Sequence, residues 1–430
     1  MSRRKSVIVV GTGAGGAAIA NDLQNDHDVT ILEAGGTFKP LSIPIDTFAG
    51  FRKTGLFLDE RMIRLLLPSM QVRKADTMVM VNGIGVGGTT TLATGNAVRC
   101  DQNLRAIGLD LDSEFEELYS RLPITTEHEK YWNPATREMF SAFEALGFDP
   151  KPTPKFLRQA HCANCGHCAI GCPTDFKWDT RDLVSEAVRK GARLITDCRV
   201  TDLEVAGRTI HAVNARQGVR KVRFEADMVV LTAGGFGTPV ILKNSGIPCE
   251  KTLFVDPVLC VAAVRKDFTQ SRQLLMPFYS SHDGYMLSPY MDYLSFFFNK
   301  DWRYPMKDII SVMIKMSDDS RGTIDAEGIR KPLTKADHAR LADGVEKSLQ
   351  ILEHMGISRK DTFLGTLNAG HPGGMLPLTA QTARSMHDPS LPDNLYVADA
   401  TILPRSAGMP PILTVMAMAL RVAQVIREIG

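Results

Sequence analysis

The chain opens with a strand, a glycine turn, a helix and a second strand ending in an acid, and no other stretch restricts its fold as strongly. Residues 6–10, SVIVV, read as a fully buried parallel strand. Residues 14–25 place Ala17, Ile19, Ala20 and Leu23 for packing on one helix, and 28–33, DVTILE, read as the next strand. The turn between them, Gly11-Thr12-Gly13-Ala14-Gly15-Gly16, matches G-x-G-x-x-G, and Glu33 stands twenty residues beyond Gly13. Each part has a mechanical task. Gly11 permits the tight turn, Gly13 lets backbone approach a pyrophosphate, and Gly16 lets helix and sheet pack closely. The helix N-terminus offers unpaired N–H groups and the positive end of its dipole, while Glu33 can accept from a ribose hydroxyl. The competing reading is a glycine turn with a structural task alone, but the ordered series predicts a Rossmann-like α/β domain holding an adenine dinucleotide.

Two arginines ahead of the apolar run, in MSRRKSVIVV, imitate a twin-arginine leader, yet the same residues make a better buried strand. At 430 residues the prior is two or three domains. A net charge of +2 gives no field to draw nucleic acid or an anionic membrane, so small molecules or another protein are the expected partners. No run of about 18 apolar residues predicts a membrane span. Four of the eight cysteines cluster, and Cys100, Cys198, Cys249 and Cys260 are scattered. That usage suits a metal centre in a reducing compartment better than a disulfide framework, with the cytoplasm as default.

Further along, 192–217 alternates apolar and polar residues as strands with one solvated face do, and 226–235 reads as a buried strand ending in glycines. From 256 the text becomes aromatic-rich, with a polar helix near 334–355, and the last twenty residues carry an apolar stripe at helical spacing. The expected division is a dinucleotide domain in three parts (1–155, 181–255 and 376–430), a Cys-rich segment at 156–180, and a second, α+β domain at 256–375.

Two more glycine clusters, NGIGVGGTTT (82–91) and TAGGFGTP (232–239), and Asp399 within NLYVADATILP bring the chain back to the same cofactor from distant positions. One nicotinamide fingerprint does not need that. An extended, tightly held FAD does.

These pieces, with LEAGG, VVLTAGGFGTPVILKNSGI (229–247) and NLYVADATILPRSAGMPPILTVMAMALRVAQVI, resemble the glucose-methanol-choline (GMC) oxidoreductase family. The resemblance implies a GMC-type FAD-binding domain with a substrate domain built around a sheet. It implies that Gly11, Gly13, Gly15, Gly16 and Glu33 hold the ADP half of FAD. Gly87, Gly88 and Thr89 would lie beside flavin and pyrophosphate, Val200 would meet adenine through its backbone, and Asp399 would bind the ribitol or pyrophosphate side. A helix starting near Pro411 would aim its N-terminus at the flavin.

Alcohol oxidation needs a base beside the hydride acceptor, and imidazole suits neutral pH. His371, in NAGHPGGM, occupies the place of the family's active-site histidine, against the alternative of a loop histidine serving backbone groups. Two departures stand out. Pro410 falls where relatives carry a second histidine or asparagine, and GGTTTLA places Ala93 where their asparagine would fall, with Asn96 close by. Asn368 is the expected substitute partner. His282 could face substrate, His161 and His167 flank the cysteines, and SPYMDYLSFFFNKDWRY (288–304) is either core or an apolar substrate wall.

Cys162, Cys165, Cys168 and Cys172, followed by Pro173, spell C-x2-C-x2-C-x3-C-P, the spacing that wraps an iron–sulfur cube. Zinc usually takes two C-x2-C knuckles with a longer spacer, so a [4Fe–4S] cluster in a ferredoxin-like insertion is expected, with zinc and unmetallated, redox-active thiols as the alternatives. Cys172 is expected as fourth ligand over a remote cysteine. Hydride in and single electrons out to an external electron-transfer protein or other acceptor describe a dehydrogenase. The alternatives are the same relay run backwards, as a reductase of a C=O or C=C bond, and a redox carrier without its own substrate.

Overall fold

The computed structural model describes residues 4–40, 63, 65, 67–75, 78–325 and 327–429; Arg3 of the leader-like stretch lies outside them. The opening forms as the pattern requires. Strand Ser6–Val10 pairs in parallel with Asp28–Leu32 on one side and Met228–Leu231 on the other. Leu395–Val397 and Arg193–Ile195 close a five-stranded sheet whose central strand is the first in the chain. All its pairings are parallel, so both faces need cover, and runs such as SVIVV and MVVL are buried throughout their cores. Helix Ala14–Leu23 and the C-terminal helix Ile412–Ile429 pack against each other on it, with Met416, Ala419, Val422, Ala423 and Ile426 fully buried.

The alternating stretch from 192 becomes a short parallel strand followed by an antiparallel meander, Cys198–Ala206, Thr209–Gln217 and Arg220–Phe224. The polar helix runs Lys335–His354 and starts with a capping box, Thr334 and Asp337 each bonding the other's backbone N–H. It covers a nine-stranded sheet centred on Val258–Val264 and Ile309–Met316. That sheet is wider than the 256–375 segment. It takes in Met70–Ala75, Met78–Gly83 and Lys151–Pro152 from the N-terminal part.

The ferredoxin-like insertion does not form as a fold unit. Residues 161–175 are loop with a single 3-10 turn, His167–Ile170, whose Ile170 is buried in the core beneath the second sheet. A segment this short has too few apolar residues for a core of its own, so it docks on its neighbours. The aromatic run resolves as core: Met291, Tyr293, Phe296, Phe297 and Trp302 are buried together. No described helix is long and apolar enough to cross a membrane.

Candidate functional site

A cavity of about 370 Å³ runs between the two sheets, in the range of small-molecule sites. Its wall takes in Gly11, Gly13, Gly15 and Glu33 from the opening, Gly88 and Thr89, Val200, Asp399, His371 and Pro411. Gly16, Gly87 and Asn368 do not line it. The parallel sheet places this cavity at the C-terminal ends of its strands, where α/β sheets bind ligands.

The glycines divide by what surrounds them. A Cβ on Gly15 would come within 1.7 Å of the Ala398 carbonyl oxygen, and one on Gly16 within 2.1 Å of that of Gly11, so both are demanded by packing. A Cβ on Gly13 would meet nothing within 4 Å. Gly13 borders open cavity, so its bareness matters only to an occupant. Gly87 serves the turn, donating its N–H to Thr12 Oγ1 at 3.0 Å.

Glu33 is buried and fully engaged. Its Oε2 accepts from the Thr12 N–H (3.1 Å) and hydroxyl (2.6 Å), and its Oε1 from the N–H groups of Gly35 (3.0 Å) and Gly85 (3.1 Å). Burial raises its pKa, against the pull of those donors. The carboxylate therefore knits the first glycine turn to the 82–91 cluster, and a ribose hydroxyl would have to share or displace one of these bonds. Asp399 does the same on the other side, accepting from Gly234 N–H (2.9 Å), Thr238 hydroxyl (2.5 Å) and Thr401 N–H (2.8 Å).

Three buried wall atoms have no hydrogen-bond partner among the described residues: His371 Nδ1, and Arg73 Nη1 and Asn82 Oδ1. With the open face at Gly13, a donor and an acceptor awaiting an occupant fit an elongated polar ligand such as FAD.

His371 turns its Nδ1 inward, 3.7 Å from Asp256 Oδ2, which leaves Nε2 as the ring atom able to meet a ligand. Burial lowers its pKa, the Lys315 ammonium lowers it further and Asp256 opposes them, so the ring is neutral at pH 7. Asp256 is enclosed. Lys315 Nζ donates to it at 2.6 Å, and the Ser406 hydroxyl and Gly408 N–H also donate. Burial works against its charge, but Lys315 and His371 hold it down at about 2. Its φ of +52° lies in the left-handed region, unusual for a non-glycine residue and often a mark of function. Sequence reasoning missed Asp256, Lys315 and Ser406, which no spacing links to His371. It also missed Thr12, the partner of Glu33.

The other candidates are placed elsewhere. Asn368 spends its amide on Asp292 (3.3 Å) and the Thr366 carbonyl (3.0 Å), so it does not stand in for the partner missing at Pro410. Lys155 Nζ donates to Asn96 Oδ1, and Asn96 in turn donates to Met276 Sδ at 3.0 Å. His282 stacks on Tyr285 with ring centroids 5.0 Å apart, and His161 on Tyr131 at 4.7 Å.

Cys162, Cys165, Cys168 and Cys172 line a second, small cavity of about 20 Å³ with Thr94 and Lys177. All four are free thiols. Among the described residues no group of three His, Cys, Asp or Glu side chains stands at metal-binding spacing, so the expected cluster site is not preassembled. Burial pushes the Cys162 thiol up to about 12 and raises Cys165. At Cys172 burial is outweighed by the Thr174 hydroxyl, the N–H groups of Lys177 and Thr174, and the Lys177 charge, so its pKa is lowered. Burial also disfavours two adjacent ammonium groups, bringing Lys155 down to about 7 and lowering Lys177. Ala93 lines the large cavity and its neighbour Thr94 the small one, so one turn of chain separates them.

Comparison with known proteins agrees with this geometry. The family model described as GMC oxidoreductase matches residues 6–260. A protein of Methanocaldococcus jannaschii is 26% identical over 418 residues, covering 96% of both chains. A long-chain-alcohol oxidase of Arabidopsis thaliana is 23% identical, covering 98% of this chain and 66% of its own. The crystal structure of pyridoxine 4-oxidase from Mesorbium loti superposes with a TM-score of 0.75 at 17% identity over 99% of both chains, a likeness of fold.

Proposed function

The chain belongs to the GMC oxidoreductase family, and on that premise we propose that it is an FAD-dependent dehydrogenase of a C–OH group that passes electrons through a [4Fe–4S] cluster to an external acceptor. The observation that carries the relay is the shared wall: Ala93 faces the large cavity and Thr94 the cysteine cavity. Adjacent Cα atoms are about 3.8 Å apart, so occupants of the two cavities would be near neighbours.

Gly13, Gly15, Gly88, Thr89, Val200 and Asp399 would hold FAD along the large cavity, with Arg73 and Asn82 supplying the unused donor and acceptor. The flavin, when bound, supplies the hydride acceptor. His371 takes the hydroxyl proton at Nε2 as the carbon gives up a hydride with its electron pair and the C=O bond forms. Asp256 keeps the ring oriented and stabilises the imidazolium that results, while Lys315 keeps Asp256 ionised. The C-terminal helix brings its first turn, Pro411 and Ile412, to the cavity wall, where its dipole favours negative charge. The four cysteines would ligate the cluster, and the free thiols suit a reducing compartment such as the cytoplasm.

The relatives suggest the substrate panel. Anaerobic protein containing flavin, iron and sulfide in stoichiometric amounts is mixed with short alcohols, long-chain alcohols and pyridoxine, and bleaching of the flavin is followed. Bleaching by one class, lost in His371→Ala, is expected; no bleaching by any C–OH compound rejects the assignment. A reductase reading draws on one specific feature. Pro410 has no side-chain donor beside the helix start, so an alkoxide lacks a second partner, and reoxidation of reduced protein by a C=O or C=C compound would favour it.

A further inference from the structure

Lys155 and Lys177 are fully buried, their side chains among the least exposed of any cations in the molecule. Neither forms an ion pair among the described residues. Lys155 Nζ donates to the carbonyls of Thr94 (3.2 Å) and Leu275 (2.5 Å) and to the Asn96 side-chain oxygen. Lys177 Nζ donates to the carbonyls of Thr90 (3.2 Å), Thr91 (2.7 Å), Ala93 (2.7 Å) and Cys168 (3.1 Å). Every acceptor is neutral. Asp179, the acid whose charge acts on Lys177, is itself bound by Arg181 at 2.8 Å.

Buried charges without an opposite charge are costly, and folded chains normally pair or neutralise them. Here both ammonium groups flank one small cavity. Lys177 lines it, and Lys155 donates to the carbonyl of Thr94 on its wall. The missing negative charge therefore belongs to whatever the four cysteines bind. Four thiolates around a [4Fe–4S] core in its oxidised state carry a net charge of two minus, which two ammonium groups balance.

We propose that Lys155 and Lys177 are built-in counter-charges of the cysteine-lined cavity, so that the site is electrically complete only when a dianionic thiolate-bound cluster occupies it. This rests on the cluster reading above. Two consequences follow from electrostatics. One electron added to the cluster raises its negative charge, so fixed positive charges beside it favour the reduced state and raise the potential. The empty site, in contrast, disfavours the charged form of both lysines and is destabilised by the charge they keep. Lys177 also ties the 90–93 turn, which walls the large cavity, to the cysteine loop, so occupation of one cavity stiffens the partition shared with the other.

The test uses anaerobically purified full-length protein and the variants Lys155→Gln and Lys177→Gln, which keep an N–H donor and lose the charge. Iron, sulfide and flavin are quantified, the cluster potential is read by EPR-monitored titration with dithionite, and thermal unfolding is compared before and after stripping iron with a chelator. The expected result is a loaded variant whose reduction equilibrium falls at least tenfold, a drop of about 59 mV for one electron. Stripped variants should unfold at the same or higher temperature than stripped wild type, and loaded ones should lose iron faster. Unchanged potentials in loaded variants, or equal destabilisation of stripped and loaded forms, would show the lysines to be simple ties for carbonyls and overturn the proposal. Wild type with no iron and sulfide would instead overturn the cluster reading itself.

Discussion

Two buried charged regions border neighbouring cavities and are built on opposite plans. Around His371, charges are matched within the chain: Lys315 pairs with Asp256 at 2.6 Å, and behind them Lys331 pairs with Asp318 at 2.7 Å. Around the cysteines, Lys155 and Lys177 are held by neutral oxygens alone. The first region is complete as folded and can hold one imidazole in a fixed field. The second is incomplete as folded, and its balance waits for a ligand. Self-paired charge is what a proton acceptor needs, because its pKa must not depend on what else is bound. Unpaired charge is what a redox centre can use.

The comparison can be broken at several points. The largest effect is expected at the group the paired region serves: His371→Ala should slow substrate reduction of the flavin by about 10²–10⁴-fold under saturation, read by stopped-flow absorbance, and an unchanged rate would remove the base. Next, Asp256→Ala turns the paired region into an unpaired one by stranding Lys315. A loss of about 3–5 kcal/mol in urea unfolding is expected, and adding Lys315→Met should recover most of it. If Asp256→Ala alone is harmless, Lys315 is not charged in the folded protein and the contrast fails.

Gly13→Ala sharpens the view that the large cavity, too, awaits an occupant. Nothing lies within 4 Å of a Cβ there, so apoprotein stability should change by no more than about 0.5 kcal/mol. FAD affinity, measured by fluorescence quenching, should fall by more than about tenfold. The smallest effect is in pH. Because burial and Lys315 lower the His371 pKa below its ordinary 6.5, the neutral base persists through that value on acidification. The acidic limb of flavin reduction should be centred below pH 6.5; a limb centred above 6.5 would contradict the assignment.

Much of the cofactor side was legible in the text. Gly11, Gly13 and Glu33 reach one cavity, because a βαβ opening and its glycine turn are local in sequence and repeat a fixed period; Gly88, Val200, Asp399 and Pro411, which the family resemblance implied, line the same cavity. The substrate side was not. Asn368 was expected near the flavin but bonds to Asp292, and of the two readings of the aromatic run from 288 the structure bears out core, a choice that composition alone does not make because it does not say which face of a sheet a side chain joins. The ferredoxin-like insertion was read from cysteine spacing, which speaks of ligands and is silent on fold; the segment is a docked loop.

What the sequence by itself determined, then, was the strand–turn–helix–strand opening, the glycine turns and the four clustered thiols, because each depends on residues within about twenty-five positions of one another. Only the tertiary structure decided that Asp256 stands behind His371 and that Lys155 and Lys177 meet beside the cysteines. Those contacts join positions with no common period, and electrostatic partnership acts through space, over a few ångströms, with no regard for distance along the chain.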